Sequence, residues 1–192
     1  MTKFQQLWRD GSTLYVDVMS RIAAAAGEWF LPLAGRFTFA AVLAGYYWAS
    51  AMTKLEGLFT PTIGAYYQIL PGITEAAEYD TDAISILFTP IVLLGSWAEF
   101  VLPLLILIGL FTRGAALAMI GFVGVQSLTD IYGHGVEAAT IGAWFDRTSD
   151  ALILDQRLLW VFLLAVLVVK GAGSLSFDNW LKLDRKSIFR NS

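Results

Sequence analysis

Residues 84–111, ISILFTPIVLLGSWAEFVLPLLILIGLF, carry one ionisable side chain, Glu99, in an otherwise apolar run. At about 1.5 Å per residue a helix of this length exceeds the ~30 Å hydrocarbon core of a bilayer, so the run reads as a membrane span. A carboxylate near the middle of such a span is costly unless something pairs with it or protonates it, which makes Glu99 the first candidate for function. Gly95, Glu99 and Pro103 follow one another at four-residue spacing on one helix face. Pro103 removes the hydrogen bond to the carbonyl of Glu99 and Gly95 leaves the backbone open one turn away, so a polar pocket is expected there.

Three further apolar runs flank this one, at 30–52, 115–131 and 158–175. With 192 residues, 57% hydrophobic and 15% charged, and a mean hydropathy of +0.62, the chain is too apolar for a soluble domain of this size. The expected fold is all-α: a polytopic membrane four-helix bundle with an N-terminal amphipathic helix and short helical elements in its external loops. Three segments are expected: 1–28 interfacial, 29–178 the four-helix domain, and 179–192 a basic cytoplasmic tail. No cleaved signal peptide is expected, because Asp10, Asp17 and Glu28 precede the first apolar run.

Within 1–28, Phe4, Leu7, Trp8, Leu14, Tyr15, Val18, Met19 and Ile22 recur at helical spacing between charged residues, with a break expected at Gly11. Lys3, Arg9 and Arg21 before span one, Arg113 between spans two and three, and Lys182, Arg185, Lys186 and Arg190 in the tail mark one side. The loops 53–83 and 132–157 are mainly acidic. By the distribution of Lys and Arg, both termini are expected to be cytoplasmic and both long loops external. Loops of that length are expected to hold ordered elements and form a cap.

Arg36 enters span one from the same side as the start of Glu99's depth count, and its long side chain makes it the expected ion-pair partner of Glu99. Lys54 lies at the far end of span one, too distant in straight parallel helices. Gln126 on span three comes out near the level of Glu99. Asp130 joins Gly95 and Gln126 as an expected pocket residue, and Asp130 with His134, four residues apart, raises a divalent cation as an alternative. No metal ligand set is assigned. The Arg36–Glu99 pair is compatible with catalysis or with a purely structural role in fixing helix register.

Cysteine is absent and His134 is the lone histidine. This excludes intrachain disulfides, thiolate metal sites, a dithiol relay and a bis-histidine haem site built from this chain alone. No basic face for nucleic acid is visible.

The spaced residues Arg36, Gly45 and Lys54, then Glu99, the exit GLFTR at 109–113, Asp155 and Arg157 before span four, and GAGSLSFD at 171–178 form a pattern. It resembles the DoxX family of small bacterial four-helix membrane proteins over about 30–180. The resemblance implies an inner-membrane bundle, and members include a subunit of a thiosulfate to quinone oxidoreductase and membrane partners of oxidative-stress proteins. A related branch with a cysteine pair is set apart, because this chain has none.

The expected function is a non-autonomous membrane subunit of an oxidoreductase with a quinone or other apolar ligand pocket around Glu99. Glu99 and Arg36 are its expected catalytic residues, through proton exchange and charge pairing. The chain supplies no intrinsic cofactor, so a protein partner must hold the redox centre. The lipid bilayer is its other partner, and a homo-oligomer stays open. The alternatives are a non-enzymatic membrane anchor or accessory protein in stress or metal homeostasis, and a small-solute carrier.

Overall fold

The structure, a computed structural model, describes residues 3–183; the remainder of the expected basic tail lies outside the described residues. The chain is mostly helical, and three helices are long and apolar enough to cross a membrane: Ile86–Ile108, Thr112–Gly133 and Leu152–Lys170.

The chain begins with α1, Lys3–Ala25. It runs unbroken through Gly11, where a break was expected, because one glycine costs a helix only about 1 kcal/mol. A π-helical turn, Ala26–Phe30, leads into α2, Leu31–Phe39, which has a proline in its first turn, where the missing N–H is harmless. A second π-helical turn, Ala40–Ala44, joins α2 to α3, Gly45–Lys54. Next come a two-stranded antiparallel ribbon of β1, Leu55–Gly57, and β2, Thr60–Pro61, and then α4, Ile63–Ile69, and α5, Pro71–Ala76. Thr62 caps α4 by accepting the N–H of Ala65 at 3.1 Å.

The helix containing Glu99 is α6, Thr89–Ile108. It ends at Gly109, whose φ of 72° a side chain would resist, and α7, Thr112–Leu128, follows after a link of three residues. A π-helical turn at Thr129–Gly133 extends α7. The short α8, Ala138–Ile141, belongs to the second long loop. A π-helical turn at Leu152–Gln156 precedes α9, Arg157–Lys170, and α10 is Phe177–Trp180.

The last apolar run corrects the sequence boundary. Its helical part begins at Leu152, not near 158, and stops at Lys170 before Gly171, whose φ is 76°. Its early start is compatible with Asp155 and Arg157 because neither is left alone. Asp155 accepts the N–H of Ala151 at 3.1 Å, and Arg157 is ion-paired at 2.6 Å.

The long helices pack in a circuit: α6 against α7, α7 against α9, α9 against α2, and α3 against α6. At its centre are Phe39, Leu43 and Tyr47 from the first helical stretch, Ile106 from α6, Met119 and Val123 from α7, and Leu164 and Leu167 from α9. Gly35 allows the close approach of α9, since a Cβ there would stand 3.0 Å from Leu167 Cδ2. A second cluster packs Ala65, Tyr66 and Ile84 on Val92. It seats the first long loop on the end of α6 remote from Gly109. That end is termed the loop end below, and the Gly109 end the turn end.

Candidate functional site

Lys54 and Glu99 meet at the loop end of this circuit. Lys54 Nζ lies 2.5 Å from Glu99 Oε1 and 2.6 Å from Oε2, and it donates to Ser50 Oγ at 2.7 Å. All three ammonium protons therefore have acceptors. The two residues are 3% and 5% exposed, so the pair is removed from water.

Helix geometry explains why Lys54 takes this place and Arg36 does not. Side chains lean toward the N-terminus of their own helix. Lys54, at the C-terminal end of α3, leans back into the packed helices, and Glu99 on the oppositely directed α6 leans toward the loop end to meet it. Arg36 leans the other way, toward the turn end. The expected Arg36–Glu99 pair is thus replaced by Lys54–Glu99.

Arg36 closes the turn end. Its Nε donates to the Ile106 carbonyl at 3.1 Å and Nη2 to Leu107 at 2.6 Å. Its Nη1 donates to Ala172 at 3.2 Å and to Leu175 at 2.5 Å. It thereby ties the last turn of α6 to the segment that follows α9. Beside it, buried Asp178 accepts the N–H groups of Phe111 at 2.7 Å and Thr112 at 2.9 Å, at the start of α7. The GLFTR exit and the GAGSLSFD segment are two halves of this clasp. A Cβ on Gly109 would lie 2.6 Å from Ser176 Cβ and 2.9 Å from Arg36 Cζ.

A second ion pair stands near the loop end of α7 and α9. Arg157 Nη2 contacts Asp130 Oδ2 at 2.6 Å, and Nη1 donates to Ser127 Oγ at 3.1 Å. Arg157 is 3% exposed, and its Nε has no partner among the described residues. Gln126 connects two tyrosines: Tyr47 donates its hydroxyl to Gln126 Oε1 at 3.3 Å, and Gln126 Nε2 donates to Tyr46 at 3.2 Å. Because the Tyr46 oxygen is the acceptor in that bond, its own proton is left to donate elsewhere.

These groups border a cavity of about 480 Å³. Gly95, Glu99, Gln126 and Asp130, expected together, do line it, and Lys54, Ser50, Tyr46 and Arg157 join them. Ile69, Ile91, Phe122, Val125 and Leu152 supply apolar wall. Its ionised pairs balance, one lysine and one arginine against one glutamate and one aspartate, which suits a neutral ligand with polar groups better than a free ion. A groove of about 560 Å³ at the turn end, beside Ile108, Phe177 and Trp180, has no ionisable lining residue among the described residues.

His134 is turned toward the first long loop. Its Nε2 stands 3.3 Å from the Gln68 carbonyl, and Tyr67 packs edge-on against its ring with centroids 5.1 Å apart. Among the described residues no three His, Cys, Asp or Glu side chains converge as metal ligands would. Lys54 and Arg157 stood in the spaced pattern, but their pairing with Glu99 and Asp130 was not read from it. The signal that finds them is the lean of side chains toward helix N-termini, combined with the antiparallel run of neighbouring helices.

No family model matches the chain, and neither a curated protein nor a solved structure matches it.

Proposed function

We propose that this chain is a DoxX-like, multi-pass protein of a bacterial inner membrane that binds a quinone in the cavity between its two ion pairs, as the membrane subunit of an oxidoreductase. In this reading Leu31–Lys54 is a fourth crossing beside the three apolar helices, and the bundle has both termini in the cytoplasm. Two features support the topology. The first stretch packs against both α6 and α9, and Lys and Arg concentrate at the termini and at the α6–α7 link.

The observation that carries the function is the cavity itself: a chamber with paired charges and hydrogen-bonding groups inside and apolar wall at Ile69, Ile91, Phe122 and Val125. A quinone ring presents two carbonyl acceptors. Tyr46 and Gln126 offer donors to one carbonyl on one wall, and the Lys54–Glu99 pair stands on another. Conversion of a quinone to its quinol takes up two electrons and two protons. The electrons come from a protein partner, since this chain has no cysteine and one histidine. The buried Lys54–Glu99 pair is the proton-exchanging element, and Asp130 and Arg157 border the same chamber.

The test is equilibrium binding of a short-tailed benzoquinone to purified protein in lipid nanodiscs. Gln126→Leu and Tyr46→Phe are the variants of choice, because Glu99→Gln strands the Lys54 ammonium and confounds binding with folding. Each should weaken binding about fivefold, the value of one hydrogen bond of about 1 kcal/mol. An unaltered affinity in both variants rules out this chamber as the quinone site.

A further inference from the structure

We infer that the cavity is reached sideways from the lipid phase, between the loop-end halves of α6 and α7. Its ligand is then an amphiphile whose polar head lies inside and whose hydrocarbon part leaves between those helices. This deepens the proposed binding function and rests on it for the membrane setting.

The aqueous side is roofed. Ile69 of α4 lies on Gly95, where an added Cβ would come within 2.9 Å of Ile69 Cδ1. Pro71 lies on Gly133 in the same way, with 2.6 Å between an added Cβ and Pro71 Cγ. One segment of the first long loop is thus seated on α6 and on the extension of α7 at once. The His134 contact with the Gln68 carbonyl fixes it between these two points. Thr140 from the second loop and Leu152 at the start of the last long helix complete the cover. The balanced charges within give a water-borne ion no field to follow.

The side between α6 and α7 is different. Leu105, Leu102, Ala98, Gly95 and Ile91 form one stripe of α6 at three- and four-residue spacing. At the turn end Leu105 and Leu102 pack on the core; at the loop end Gly95 and Ile91 line the cavity. On α7, Ala115, Phe122 and Thr129 repeat every seventh residue, and the stripe likewise passes from core to cavity wall. The hairpin is held shut at the clasp and leaves a gap farther up. Ile91 and Val125, both cavity-lining, are 50% and 63% exposed, so the rim of the gap is apolar and open. A chamber with a polar interior and an apolar, laterally facing rim fits a molecule with a polar head and a hydrocarbon tail.

Absence of native cysteine allows single labels without background. Nitroxides attached to Ile91→Cys and Val125→Cys, in phosphatidylcholine vesicles, should collide with oxygen, which concentrates in lipid, far more than with a water-soluble nickel chelate. Preferential collision with nickel overturns lateral access. A decyl-tailed benzoquinone should immobilise both nitroxides, and a ring-only benzoquinone should leave them mobile; equal immobilisation by the two overturns the placement of the tail. Val125→Trp should slow binding of the tailed compound about tenfold and slow the ring-only compound much less, as expected for a narrowed passage; equal slowing of the two overturns passage between α6 and α7. Lipid-side collisions without response to any quinone leave the lateral passage standing and overturn the quinone assignment.

Discussion

Removing one member of the Lys54–Glu99 pair should be far more harmful than removing both. Each side chain is nearly inaccessible, at 3% and 5% exposure, and Glu99 receives two contacts from the one ammonium at 2.5 and 2.6 Å. Stranding one charge of such a buried pair costs about 3–5 kcal/mol, or about two to three and a half decades in the folding equilibrium. Lys54→Met leaves a bare carboxylate among apolar side chains, and Glu99→Gln leaves an ammonium holding only Ser50 and an amide. The double variant has no net charge to bury and should recover much of the loss. The assay is reversible unfolding in mixed micelles, followed by helical circular dichroism, for wild type, both single variants and the double. A parallel cycle pairs Glu99→Gln with Arg36→Met. Arg36 binds the Ile106 and Leu107 carbonyls, about two turns from Glu99, so those effects should add to within about 0.5 kcal/mol. Additivity in the Lys54 cycle, or strong coupling in the Arg36 cycle, refutes the assignment of the pair.

The clasp at the turn end gives two further expectations. Asp178→Ala should cost about 1–3 kcal/mol by leaving the Phe111 N–H and the buried Thr112 N–H without their acceptor, measured by the same unfolding assay. Gly109→Ala should cost more than about 1 kcal/mol, because the residue has φ of 72° and its Cβ would meet Ser176 at 2.6 Å; unchanged stability contradicts the close approach. For topology, cysteines replacing the exposed Ser85 and Ser149 should react with an impermeant maleimide in intact spheroplasts, whereas one replacing Ser12 should react only after lysis. The opposite pattern inverts the proposed orientation.

Much of the helical plan could be read from apolar runs, because length and composition alone mark a helix that can cross a bilayer. Glu99 was equally legible as a lone carboxylate in such a run. Gly95 followed from helix face and Gln126 from depth, and both line the cavity with Glu99 and Asp130. The ion-pair partner was not legible by depth alone, since counting residues along parallel axes ignores the direction in which side chains lean. Lys54 sits at the end of its helix yet points inward, and Arg36 sits inside its helix yet points outward to the chain ends of α6 and α9. The GLFTR and GAGSLSFD segments stood out as a pattern, but their contact with each other is a long-range feature: residue 178 meets residues 111 and 112. The β1–β2 ribbon was hidden for a different reason. Its few residues lie in a loop whose shape is set by packing, including the bond from Trp97 Nε1 to the Leu58 carbonyl at 3.0 Å.

The most direct test of the proposed quinone chamber is photolabelling with an azido-benzoquinone carrying a decyl tail. Protein in lipid vesicles is irradiated, digested and mapped by mass spectrometry, with and without excess unmodified decyl benzoquinone. The account predicts adducts on the cavity-lining parts of α3, α6 and α7, at peptides containing Tyr46, Glu99 or Gln126, suppressed by the competitor. Adducts confined to lipid-facing residues such as Leu94 or Leu117, unaffected by competition, contradict it.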